Sequence, residues 1–152
     1  MEFGPPIVFG RVVFCDDVRT ELDGKVTLIG CYNADMVFPT SFPALLAKLG
    51  FYIQFFEMPD SANEKLKLEV FFPGDATDKP SMVSELPQLE MIMPEEVNAR
   101  RDEDTRKVLA FNFVLSPVNI SEEGYIRVQL SKGENVYRIG RIRVSSNLYP
   151  IK

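Results

Sequence analysis

Arg138, Arg141 and Arg143 crowd the stretch from Val136 to Val144, and Arg127 lies on the run just before it. A guanidinium keeps its charge at any biological pH and offers a planar fork of donors, so it suits carboxylate or phosphate recognition. These four arginines are the candidate binding residues, a face for an acidic protein segment or an anionic ligand. The competing reading is simpler: outward charges keep a terminal edge strand from pairing with other chains. The charge is uneven. Residues 124–152 hold these arginines with Lys132 and Lys152 against Glu134 alone, a net +5, whereas residues 1–123 carry −10. The acidic body argues against general nucleic-acid binding, and the basic end leaves room for a local anionic partner.

Two further groupings could do chemistry. Asp16 and Asp17, with Asp23 and Asp35 nearby in sequence, could gather a calcium ion, which needs six to eight oxygens with several carboxylates converging. That arrangement would suit a calcium-dependent lipid- or sugar-binding module. The regular spacing of a calcium loop is missing, and a turn cap paired with Arg19 accounts for the same residues. Cys15 and Cys31 could act as nucleophiles, but only with a basic group to lower the thiol pKa, and apolar surroundings raise it. The chain has no histidine, which removes Ser-His-Asp and Cys-His catalysis and imidazole-based zinc sites. No phosphate loop, dinucleotide fingerprint or nucleophile elbow is present either. The expectation is a non-catalytic binding module without a metal or cofactor.

The elements that must position these residues repeat with period two, the strand period. Leu49, Phe51, Ile53 and Phe55 alternate with Gly50, Tyr52, Gln54 and Phe56. Leu66, Leu68 and Val70 alternate with Lys67, Glu69 and Phe71; Ile126, Val128 and Leu130 alternate with Arg127 and Gln129. In the last run Tyr137 and Ile139 share one parity and Ile142 and Val144 the other, so a bulge at Gly140 would return both pairs to the core. Arg141 and Arg143 would then share the outer face, where Arg127 can join them across the hairpin.

Asp23-Gly24 signals a two-residue hairpin turn. With Leu22 facing Lys25, Cys15 and Cys31 project from opposite faces of the sheet, which predicts free, reduced, core-filling thiols. Pro43 to Lys48 could form one helical turn, residues 73–88 read as a long crossover, and Glu95 to Lys107 reads as an exposed loop with a short helix. About eight or nine short strands with little helix indicate an all-β fold, a single antiparallel β-sandwich, immunoglobulin-like or C2-like.

The chain has 152 residues, which suits one domain over 1–152, and roughly two-thirds of its surface can be buried on folding. Its first residues lack the pattern of a signal peptide and no run of 18 apolar residues occurs, so a cytoplasmic location without a membrane span is expected. The partner is expected to be another protein or a small anionic ligand. Self-assembly through a terminal strand, giving a homo-oligomer or structural protein, is the remaining alternative.

Three stretches carry a resemblance: Cys15-Asp16-Asp17-Val18-Arg19-Thr20-Glu21, Gly24 to Tyr32 with Gly-Lys-Val-Thr-Leu-Ile-Gly-Cys-Tyr, and Phe42 to Leu49. Together they resemble a family of small bacterial proteins known only as a domain of unknown function. The resemblance implies a strand, a hairpin turn, a strand and a Pro-Leu segment leading to the next strand, in a bacterial cytoplasmic protein. It implies no catalytic residue. Gly124-Tyr125 is also similar to strand starts in immunoglobulin-like sandwiches, where a tyrosine closes a corner.

Overall fold

The computed structural model describes residues 8–86 and 105–147. They hold twelve strands and no helix. In chain order these are β1 (Phe9–Cys15), β2 (Asp17–Thr20), β3 (Val26–Ile29), β4 (Asp35–Phe38), β5 (Ala44–Leu46) and β6 (Leu49–Glu57). They continue as β7 (Leu66–Phe71), β8 (Met82–Leu86), β9 (Lys107–Leu115), β10 (Val118–Ile120), β11 (Gly124–Lys132) and β12 (Asn135–Ser146). A three-stranded sheet, β1-β6-β9, faces a five-stranded one, β4-β12-β11-β7-β8; the pairs β2-β3 and β10-β5 are smaller. Every pairing is antiparallel except β12 with β4, which is parallel. The all-β sandwich expected from the periodicity is present, with more and shorter strands than the eight or nine expected.

The alternation explains the layering. Leu49, Phe51, Ile53 and Phe55 are completely buried from one sheet, and Ile126, Val128 and Leu130 from the other. Each such side chain contributes about 1.5–3 kcal/mol by leaving water. The Phe51 ring stacks on Phe113 at 4.5 Å and meets Phe14 edge-on at 5.5 Å. Two glycines let the sheets approach: the space a Cβ would take at Gly10 is filled by Ile139, and at Gly140 by Val12.

The irregularity in β12 falls where the parity change required it. Val128 pairs with Gly140 and Gln129 with Arg138, so Ile139 is the extra residue, one position before the glycine. Ile139, Ile142 and Val144 are all buried in consequence.

Elsewhere the structure corrects the sequence reading. Residues 44–46 are strand rather than a helical turn, because Leu46, Leu45 and Ala44 pair with Val118, Asn119 and Ile120 of β10. The crossover over 73–88 contains β8, paired with β7 from Leu66↔Leu86 to Val70↔Met82. The loop expected over Glu95 to Lys107 lies mostly outside the described residues, and Lys107 opens β9.

The first hairpin differs by one residue. Asp17 pairs with Ile29 and Thr20 with Val26, and the Glu21 amide donates to the Lys25 carbonyl at 2.8 Å. The turn is therefore Leu22-Asp23-Gly24, closed by a Gly24 amide to Glu21 carbonyl bond of 3.0 Å. Gly24 has φ +82°, a left-handed conformation that favours glycine. A third turn residue shifts the pairing by one, and that changes which side chains stand opposite each other.

Candidate functional site

Three of the four candidate arginines meet on the outer face of the five-stranded sheet. Arg127 lies on β11, the middle strand, with Arg141 directly opposite on β12 and Phe71 directly opposite on β7. The Arg127 guanidinium lies 4.8 Å from the centre of the Phe71 ring, and Arg141 lies 4.6 Å from that of Tyr125. Each ring face is electron-rich, so it holds a guanidinium flat against it and fixes where the remaining donors point. Arg138, opposite Gln129, completes the group.

These arginines line a concavity of about 490 Å³ together with Phe71, Val128 and Gly140, and Thr77 and Gln129 contribute polar groups. Arg138 and Arg141 are exposed, whereas Phe71 is only 3% exposed because the cation above covers it. Arg143 stands apart: it pairs in register with Tyr125 and with Asp35 of β4, and does not line the concavity.

The neighbouring acids are engaged with other partners. Glu69 accepts from the Gln129 amide at 2.6 Å and pairs with Lys67 at 2.9 Å. Burial raises its carboxyl, but those two bonds outweigh it and hold it below the ordinary 4.5. Asp75 accepts from the Phe72 amide (2.8 Å) and from the Ser81 amide and hydroxyl (2.9 Å each), stapling the loop that carries Thr77. Its carboxyl is likewise raised by burial and, on balance, lowered by these bonds and the nearby Arg127 charge. Among the described residues, no carboxylate lies within ion-pairing distance of Arg127, Arg138, Arg141 or Arg143.

The edge-protection reading covers only part of this arrangement. Arg138 and Arg141 do lie where β12 has no outer strand paired to it among the described residues, since β4 covers only residues 143–146. Arg127 is on the central strand, where no edge needs protecting.

The Asp16 and Asp17 end is arranged differently from either sequence reading. Asp16 accepts from the Tyr32 hydroxyl at 2.8 Å, and Asp17 pairs with Lys48 at 3.4 Å rather than with Arg19. Among the described residues, no three potential metal ligands converge. Cys15 is buried, as a core thiol should be, but Cys31 is exposed and fills no core.

The sequence reading missed the aromatic platforms. Phe71 and Tyr125 both fall on outward parities of their runs, and a large aromatic ring at an outward position was the available signal. Tyr125 is 41% exposed beneath Arg141.

The described residues contain no helix long and apolar enough to cross a membrane. A family of unknown function, DUF6941, matches residues 11–145. The chain belongs to this family. In this DUF6941 member the match spans both large sheets, including all four arginines. No curated protein and no solved structure matches the chain.

Proposed function

We propose that this protein is a non-catalytic binding module whose concavity between Arg127, Arg138 and Arg141 receives a carboxylate-bearing segment of another protein. One observation carries the reading: Arg127 and Arg141 stand directly opposite one another, each laid on an aromatic ring. Like charges directly opposite in a sheet repel. A carboxylate between them would convert that repulsion into charge-assisted, bidentate hydrogen bonds. The lining supplies fixed cations, an amide and a hydroxyl but no group that exchanges protons near neutrality, which favours recognition over acid–base chemistry.

The test is fluorescence anisotropy with a labelled oligoglutamate peptide at low ionic strength, against an oligoglutamine of equal length. The wild-type chain binds only the acidic peptide, and Arg127→Gln with Arg141→Gln weakens it at least about tenfold, a loss of about 1.4 kcal/mol. Arg11→Gln combined with Arg19→Gln, both exposed and on β1 and β2 outside the five-stranded sheet, removes the same two charges as a control and leaves binding unchanged. No binding by the wild type, or equal binding by the double variant, overturns the proposal.

A further inference from the structure

The three-residue turn of the first hairpin has brought Cys15 and Cys31 into line. Backbone hydrogen bonds bracket them on both sides: the Asp16 amide is shared between the Ile29 carbonyl at 2.9 Å and the Gly30 carbonyl at 3.1 Å, and the Tyr32 amide donates to the Phe14 carbonyl at 2.9 Å. In an antiparallel pair, bonds of this kind on either side mark a directly opposed pair that exchanges no bond of its own. Such residues have Cα atoms about 4.5 Å apart and their side chains on the same face. That separation is at the short end of the range a disulfide spans, about 4.4–6.8 Å.

The other face agrees with this placement. Asp16 packs over Gly30 and bonds to Tyr32, which groups 16, 30 and 32; side-chain alternation then turns 15 and 31 to the opposite face, and Cys31 lies near enough for its charge to act on the Cys15 thiol. The opposite-face arrangement expected from a two-residue turn is overturned by the register.

We propose that Cys15 and Cys31 form a reversible redox pair, which peroxide or another mild two-electron oxidant converts to an intrachain cross-strand disulfide. The two thiols differ in access, which sets the order of events. Cys31 is exposed, whereas Cys15 is completely buried, its sulfur lying against Gly50 of β6. The Cys31 thiolate attacks one peroxide oxygen; the O–O bond breaks, the leaving hydroxide takes a proton to become water, and Cys31 becomes a sulfenic acid. Cys15 then attacks the Cys31 sulfur, the S–O bond breaks, and the hydroxyl leaves with the Cys15 proton as a second water. Two thiols and one peroxide give one disulfide and two waters.

Burial, then the proximity of Cys31 and Asp16, pushes the Cys15 thiol up to about 11, so the second step accelerates as pH rises. A short cross-strand bridge with one exposed sulfur belongs to the readily reduced class rather than the structural one.

The experiment uses the full chain. After hydrogen peroxide or diamide, free thiols fall from two to none, the intact mass drops by two hydrogens, and a non-reducing peptide map joins the Cys15 and Cys31 peptides in a monomer. Dithiothreitol restores both thiols. Cys31→Ser, a change at an exposed position, abolishes the mass loss and leaves Cys15 unreactive towards alkylating reagents in the folded state. Cys15→Ala keeps Cys31 but diverts it to intermolecular dimers or mixed disulfides. Oxidation of wild-type protein to Cys31-linked dimers, or to sulfinic acid at Cys31 with Cys15 still free, overturns the proposal, as does retention of both thiols.

Discussion

The carboxylate of Glu57, at the end of β6, is hydrogen-bonded to the ammonium of Lys132, at the end of β11, so a buried ion pair ties one large sheet to the other. Lys107 of β9 adds a second contact at 3.4 Å, and Glu57 is only 2% exposed. A buried charge left without its partner is strongly destabilising. Glu57→Gln is therefore expected to cost about 3–5 kcal/mol, read by urea denaturation. Lys132→Met costs less, because Lys107 still faces the carboxylate.

The glycine contacts between β1 and β12 make a second prediction. Gly10→Ala places a methyl against Ile139 and the Phe55 ring, and Gly140→Ala places one against Val12. Each is expected to destabilise by about 1–3 kcal/mol through overpacking. Combining Gly140→Ala with Val12→Ala should recover part of the loss, seen as a non-additive double-mutant cycle.

Alkaline pH should unfold the chain through two groups near the first hairpin. Burial, then the bond to Asp16, pushes the Tyr32 hydroxyl from 10.0 up to about 12, and Cys15 moves from 9.0 to about 11. Both hold their protons more tightly when folded. Their contribution is complete below pH 9 and is lost as pH rises through the folded values towards 12. Thermal denaturation followed across that range should show a falling midpoint, and Tyr32→Phe should flatten the upper part of the decline.

The opposed arginines should betray their repulsion even without a partner. A double-mutant cycle between Arg127→Gln and Arg141→Gln isolates the pair from the ring each one covers. We expect a repulsive coupling of about 0.2–1 kcal/mol, measured by denaturation in dilute buffer. Added salt should shrink it.

Much of this was legible in the sequence because strand periodicity is a local signal. The core faces of β6, β7 and β11 follow directly from alternating Leu, Phe and Ile, and the parity change in β12 required a bulge close to where Ile139 sits. The grouping of Arg127 with Arg141 followed from the same hairpin. What failed was counting within turns: Asp23-Gly24 fits a two- or a three-residue loop equally well, and only the backbone bonds to Lys25 and Gly24 distinguish them. Residues 44–46 misled because Pro43-Ala44-Leu45-Leu46 has helical propensity, and pairing with β10, more than seventy residues away, overrode it. The stacking of Phe71 under Arg127 depended on which strand neighbours β11, a choice that periodicity leaves open.

The parallel pairing of β4 with β12 constrains the order of assembly. Met36 and Phe38, both buried, lie on a strand whose hydrogen-bonded neighbour begins about a hundred residues downstream. On a ribosome adding roughly 5–20 residues per second, that early segment waits several seconds with its apolar side chains uncovered. The five-stranded layer closes only when Arg143 to Ser146 emerge, so completion of the fold is a late, long-distance event for this chain.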